Sequence, residues 1–353
     1  MMYCFVAAAS IHSISYNESR VNIQMSTISK RGGFSSTRRS SLLTAATQLN
    51  SNTWSISLPF QGEEGIVGSY LLSGGDDLVV IDPGPESMME PLLDAIRMTG
   101  FDPRNVTHIL ATHIHLDHAG GAGSLMRHMP KAMVYAHSKG APHLLDTSKV
   151  VASATRIYGE RMQELWGKVE PVPAERLHIM EDGDVLHVAG RQLDVHYSPG
   201  HAVHHVIFFD PKSGELFAGD TAGVRLQDVD YVRPPTPPPD IDIEAWLQSI
   251  DMMEKLQPSV LYIAHFGPTR DISSHLARLR TQLTSWGDFV LEQMREGKNE
   301  EDILAALIMH TEPELLNISH DEHEVARYEI AANYPMSVQG YMRYWRKKHP
   351  EKL

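Results

Sequence analysis

Thr112-His113-Ile114-His115-Leu116-Asp117-His118-Ala119-Gly120-Gly121 is the stretch from which the rest of the chain can be read. Val106-Thr107-His108-Ile109-Leu110-Ala111 precedes it, a short apolar run of the kind that forms a buried strand. Small residues follow, and then Ser124 to Met129, which reads as a helix. The stretch therefore occupies a strand-to-helix turn. Imidazole nitrogens and carboxylate oxygens are good ligands for zinc and similar divalent ions. Residues i and i+2 of an extended segment face the same way, so His113 and His115 can grip one ion. Asp117 and His118, where the chain turns, can face a second. A lone histidine in a chain with 20 of them is ordinarily structural or exposed. Four ligand-type residues in six positions at the mouth of a strand point instead to metal.

The pattern His113-x-His115-x-Asp117-His118 resembles that of the metallo-β-lactamase-fold hydrolases, over roughly Trp54 to Asp271. The resemblance implies an α/β fold, a four-layer αβ/βα sandwich with the metals at one edge. It also requires three further ligands downstream. The chain offers them at the ends of apolar strands. Arg191 to Tyr197 runs into Ser198-Pro199-Gly200-His201, Glu215 to Ala218 into Gly219-Asp220, and Val260 to Ala264 into His265. By the resemblance, one ion takes His113, His115 and His201, the other takes Asp117, His118 and His265, and Asp220 bridges them. Zinc is the expected metal, with iron or manganese as alternatives. Two such ions share a water and lower its pKa, giving a hydroxide nucleophile, while one polarises the substrate oxygen. Asp117 is the candidate to orient that nucleophile or pass a proton to the leaving group.

Bulk properties narrow the classes. The 353 residues are 42% hydrophobic and 21% charged, the composition of a globular protein. A net charge of −13 argues against a nucleic-acid partner. No apolar run approaches the length of a membrane span, so no membrane partner is expected. One cysteine, Cys4, excludes an intramolecular disulfide and a cysteine-based metal site. A cytoplasmic location is expected, unless the first residues are an organelle or export signal.

Three regions follow from composition. Residues 1–50 are rich in Ser and Thr, carry Arg20, Lys30, Arg31, Arg38 and Arg39 against Glu18, and read as a disordered extension. A targeting segment or a start at Met25 are the alternatives. Residues 51–271 form the catalytic domain. Residues 272–353 form a helical C-terminal region packed on it, with apolar stripes such as Leu276, Leu279 and Leu283. Those helices offer a homodimer face. Glyoxalase-II-like members of the family share such a region, although no glutathione-binding pattern is readable here. Ser319-His320-Asp321-Glu322 reads as a capping box opening one of these helices.

Several residues are candidates around the centre. Asp82 ends the strand Leu78 to Ile81, where a buried carboxylate needs a partner such as a ligand histidine. Tyr158 lies in a helical excursion, Ser148 to Trp166, which can cover a substrate groove. The proline-rich stretch Val232 to Asp240 reads as a stiff pocket wall, with Arg225, Tyr231 and Arg233 in reach of substrate. Solvated or capping roles are expected for His137 and His143.

The expected function is hydrolysis of a small ester-like molecule, thioester first and lactone second. Several β-lactamases of the fold use cysteine where Asp220 stands. Lactonases of the family place a tyrosine three residues after that aspartate, where this chain has Gly223, and Tyr231 is the substitute to consider. Phosphodiesterase or β-lactamase-type hydrolysis is a further alternative. A different class is iron-dependent persulfide oxidation, for which His113, His201 and Asp220 would suffice. A binding protein on an inactive scaffold is the least expected.

Overall fold

The computed structural model describes residues 46–226 and 229–353. The expected extension lies outside the described residues as far as position 45, and Cys4 with it. Residues 46–50, assigned to that extension by composition, form a strand instead. This β1 (Ala46–Asn50) pairs antiparallel with β2 (Thr53–Phe60). Its side chains are largely exposed, so no hydrophobic run announces it.

Among the described residues one sheet runs β1-β2-β3-β4-β5-β6-β7, with β3 (Glu63–Gly74), β4 (Asp77–Ile81), β5 (His108–Leu110), β6 (Met133–His137) and β7 (Leu177–Met180). The second runs β13-β12-β11-β10-β9-β8, with β8 (Val185–Val188), β9 (Arg191–Tyr197), β10 (Val206–Asp210), β11 (Glu215–Phe217), β12 (Val260–Ile263) and β13 (Gly267–Thr269). Alternation along the strands sorts the core into layers. Leu72, Val79 and Ile81 of the first sheet and Val195, Val206 and Phe208 of the second share one apolar cluster between the sheets. Their neighbours Leu71 and Val80 face outward onto α1 (Met89–Met98). Ile207 faces outward onto α7 (Ile243–Leu256) and α8 (Ile272–Arg295). The result is the four-layer αβ/βα sandwich, with both sheet faces covered.

Between these lie α2 (Leu116–Ala119), α3 (Ala122–Leu125), α4 (Ala141–Leu145), α5 (Ser148–Tyr158) and α6 (Met162–Trp166). The helix expected over Ser124 to Met129 is thus two shorter helices that start earlier, with Gly120 and Gly121 between them. The C-terminal region adds α9 (Glu300–Ser319), α10 (Glu322–Ala331) and α11 (Tyr334–Lys348). Asp321, not Ser319, caps α10, accepting from the His323 N–H at 2.9 Å. The left-handed His320 has already ended α9, which leaves Ser319 inside it. The helices are not a separate lobe in packing terms: Trp286, Tyr334 and Tyr341 share a cluster with Trp246 and Ile263.

Strand direction places the site. β4, β5 and β6 are mutually parallel, so Asp82, the 112–118 turn and His137 emerge at one edge of the first sheet. β9 is antiparallel to β10, β10 to β11, and β11 is parallel to β12, so β9, β11 and β12 run the same way. Their C-terminal ends carry His201, Asp220 and His265. The two edges meet, since the Val206 N–H donates to Thr112 O and the Gly68 N–H to Ala264 O, each at 2.8 Å. Gly200, with φ at 132°, lets the His201 turn approach α7, because a Cβ there would stand 2.3 Å from the Trp246 Cα.

Phe208, fully buried between the sheets, supplies a test of this layering. Phe208→Ala should destabilise the protein by about 3–5 kcal/mol in denaturant titration.

Candidate metal centre

The seven donor side chains meet at this edge. His115 Nδ1 lies 3.0 Å from both His113 Nε2 and His201 Nε2. Asp220 Oδ2 stands 3.4 Å from His201 Nε2 and 4.0 Å from His113 Nε2. The other oxygen, Oδ1, stands 3.1 Å from His118 Nε2 and 3.3 Å from His265 Nε2. Asp117 Oδ2 closes the second group, 3.3 Å from His265 Nε2 and 3.6 Å from His118 Nε2. One carboxylate thus faces a group of three nitrogens with one oxygen and a second group with the other.

The outer atoms of the rings fix which nitrogen faces inward. His201 Nδ1–H donates to Pro235 O at 2.8 Å and His265 Nδ1–H to Ile66 O at 2.6 Å. Carbonyl oxygens only accept, so each ring carries its Nδ1 proton outward, and in the neutral form its Nε2 lone pair faces the carboxylates. Asp82 does the same for His118, accepting from Nδ1 at 3.1 Å. It also accepts from the Thr112 N–H and hydroxyl, each at 2.8 Å. Asp82 itself is buried at φ 51°, a left-handed conformation that aims its carboxylate into the turn. His118 Nε2, His265 Nε2 and Asp220 Oδ1 are buried with no hydrogen-bond partner among the described residues. Once their Nε2 protons leave, these nitrogens and carboxylates are all lone-pair donors converging on common points, which suits divalent cations, and the His and Asp donor set suits zinc, iron or manganese.

Electrostatics divide the two groups. Burial holds His113 well below the ordinary imidazole range, lowers His115 and brings His201 down to about 4, so these rings are neutral. Burial also pulls on His118, but Asp220, Asp117 and Asp82 together more than reverse it and leave the ring well above its usual range. His265 is raised by Asp220 and Asp117 against the same burial. Burial would lift the Asp117 carboxyl, yet His118 and His265 bring it down to about 2.

A pocket of about 650 Å³ opens on the centre and is lined by His115, Asp117, His201 and Asp220. Tyr158 lines it, as does the proline-rich wall from Pro235 to Asp240. Arg225, Tyr231 and Arg233, expected to reach substrate, do not. Val224 and Arg233 exchange backbone hydrogen bonds at 2.8 and 2.9 Å, which turns this segment into the C-terminal core. There Arg233 is fully buried, bonded to Glu329 at 2.6 Å and lying over the Tyr334 ring. Tyr231 packs edge-on against Tyr328, and Arg225 lies 3.9 Å from Asp230.

A model described as the metallo-beta-lactamase superfamily matches residues 62–265. The chain belongs to the metallo-beta-lactamase superfamily. Among superfamily relatives, a hydroxyacylglutathione hydrolase from Synechococcus sp. is 31% identical over 142 residues, 40% of this chain and 42% of that protein. An atrochrysone carboxyl ACP thioesterase from Aspergillus fumigatus is 25% identical over 235 residues, 66% of this chain and 45% of that one. The chain therefore spans under half the length of either relative. A metallo-beta-lactamase family protein from Thermus thermophilus shares the fold, with a TM-score of 0.65 at 21% identity, covering 85% of this chain and 95% of that one.

Two features escape a reading of the sequence. His205 Nε2 accepts from the Asp220 N–H at 3.1 Å, with Nδ1 2.8 Å from Ser198 Oγ, and so holds the Asp220 loop. His204 stacks on His113 with ring centroids 6.1 Å apart. Both lie directly after a donor and before an apolar strand, which was the available signal. His143 lines the pocket, whereas His137 stacks on Tyr197. Gly223 stands at φ 76°, a left-handed conformation that L side chains rarely adopt, and a Cβ there would lie 2.8 Å from Leu279 Cδ1.

Asp82→Ala should weaken metal affinity about 10–100-fold in a chelator competition. Affinity of the unaltered protein should fall as pH falls, because His118 and His265 must shed protons to serve as ligands.

Proposed function

We propose that this superfamily member is a metal-dependent thioester hydrolase with two divalent ions, zinc being the expected metal. The observation that carries the reading is the union of two complete donor groups with a largely apolar pocket. His113, His115 and His201 would hold one ion, Asp117, His118 and His265 the other, with Asp220 between. Ions held there would acidify a water and polarise the substrate carbonyl.

The chain's own residues do the rest. Asp117 has a 23% exposed side chain, while the Asp220 side chain is 5% exposed, so Asp117 is the carboxylate open to the pocket. Ionised at neutral pH, it would accept a hydrogen bond from the attacking water and orient it toward the carbonyl carbon. Asp82, Pro235 O and Ile66 O hold three rings at fixed orientation, so little reorganisation accompanies the reaction. Tyr158 and Trp166, in contact at 5.1 Å, wall the Asp117 side and limit the access of bulk water. The likeness to an ACP thioesterase supports the choice of bond. Glycine at 223, where lactonases of the family place a tyrosine, argues against the lactone alternative. The convergence of Asp117, His118 and His265 favours hydrolysis over one-iron oxidation.

Protein assayed on thioesters, lactones, phosphodiesters and β-lactams should turn over thioesters best. Chelation should abolish turnover and zinc restore it. Asp117→Asn should lower kcat by ~100-fold or more. Faster turnover of a lactone, or one iron per chain with no hydrolysis, would overturn the reading.

A further inference from the structure

The pocket has two chemically different ends. On the Asp117 side, aromatic rings form a continuous wall. Phe60 and Trp166 lie 5.1 Å apart, Trp166 and Tyr158 5.1 Å apart, and the Tyr158 hydroxyl is 3.8 Å from Met336 Sδ. Burial first, and then the nearby Asp117 charge, raise the Tyr158 phenol, which stays neutral. The cation at that end, Arg161, is already occupied by Gln61 at 3.0 Å and Glu164 at 3.4 Å.

The opposite end is the His115 side. His204 lies edge-on to His115 at 5.7 Å. The turn that holds Lys139 packs directly onto it, since a Cβ on Gly140 would stand 3.3 Å from the His204 Cβ and 2.8 Å from Ile114 Cγ2. Lys139, His143 and Lys149 all line the pocket; His143 lies close to His204, and both His143 and Lys149 lie in range of Asp146. Lys139 donates to the Tyr197 hydroxyl at 2.6 Å, and Lys149 stands in range of the Asp146 carboxylate. Asp146, at the start of α5, is held low chiefly by its bonds to Ser148, with Lys149 and His143 contributing least. Of the two other lining carboxylates outside the donor groups, Glu329 is bonded to Arg233. Asp240 also lines the pocket, Asp146 stands outside it in range of Lys149, and Glu181 pairs with His137 at 3.5 Å. In a chain with a net charge of −13, two lysines gathered at the lip of the substrate pocket favour an anionic ligand.

We propose that the substrate carries a negatively charged group, seated against Lys139, His143 and Lys149, and an apolar group on the other side of the scissile bond, seated against Phe60, Tyr158 and Trp166. This rests on the reading of the pocket as the thioester site. The charge has two possible sources, a carboxylate in the acyl half or a phosphate in the thiol half. Both meet the lip through the same charge-assisted contacts.

Binding of uncleavable thioethers to the metal-loaded protein, followed by calorimetry, separates these sources and does not depend on turnover. Three compounds share an apolar group. One adds a carboxylate to the acyl half, one adds a phosphate to the thiol half, and one is neutral. The unaltered protein should bind at least one charged compound about 10-fold or more tightly than the neutral one, and the preferred compound names the source. In a Lys139→Glu, Lys149→Glu double variant with unchanged metal content, that ratio should collapse to about one. Equal affinity for all three compounds, or a preference that survives the double variant, would overturn the proposal. A charge preference without hydrolysis of any thioester would instead retire the thioester reading and leave the anion-binding lip standing.

Discussion

Burial of the Asp220 carboxylate is the constraint to which the rest of the structure answers. An isolated carboxylate loses far more on leaving water than a fold can recover, so it must be surrounded by positive partners. Here the partners come from both sheets. His118 arrives on the turn after β5, His201 after β9 and His265 after β12. No local segment could supply them, and each must stop at the same edge. The parallel runs β4-β5-β6 and β11-β12 meet that demand by ending their strands in step. The left-handed Asp82, the close approach at Gly200 and the buried His205 are local adjustments that keep the donors aimed inward.

Much of this was legible because it is periodic or local. The 112–118 turn carries its spacing on its face, and alternation along Leu71-Leu72 and Val79-Val80-Ile81 separates the two sides of a covered sheet. Strand ends could be found from the residue types that follow them. What could not be read depends on direction or on contacts distant in sequence. Arg233 is close in sequence to the proline-rich wall, yet its pairing with Val224 turns it away from the pocket. β1 is too polar to declare itself, and its partner strand is what orders it. The pocket lining from Glu329 to Ser337 belongs to helices more than 200 positions beyond the first motif, joined to it only by tertiary packing.

That packing makes the C-terminal helices part of the site. Arg233 is the tie: a buried guanidinium beneath the proline-rich wall, bonded to Glu329 and to Ala332 O, and bracketed by Tyr328 and Tyr334. The shape of the pocket mouth is therefore set jointly by two regions that composition alone would separate. Burial raises the Glu329 carboxyl and Arg233 opposes it, so the pair is best regarded as a fixed joint between the wall and α10.

Helix α5 stands apart from this rigidity. Of its 11 residues only Ala154 is buried in the core, while Lys149, Ser153 and Ile157 line the pocket one turn after another. Side chains that look into the cleft are thus almost free of duties to the fold. Over evolutionary time such a helix is a tuning surface. Exchanges of a few residues along it would reshape the cleft and leave the donors at the sheet edge in place.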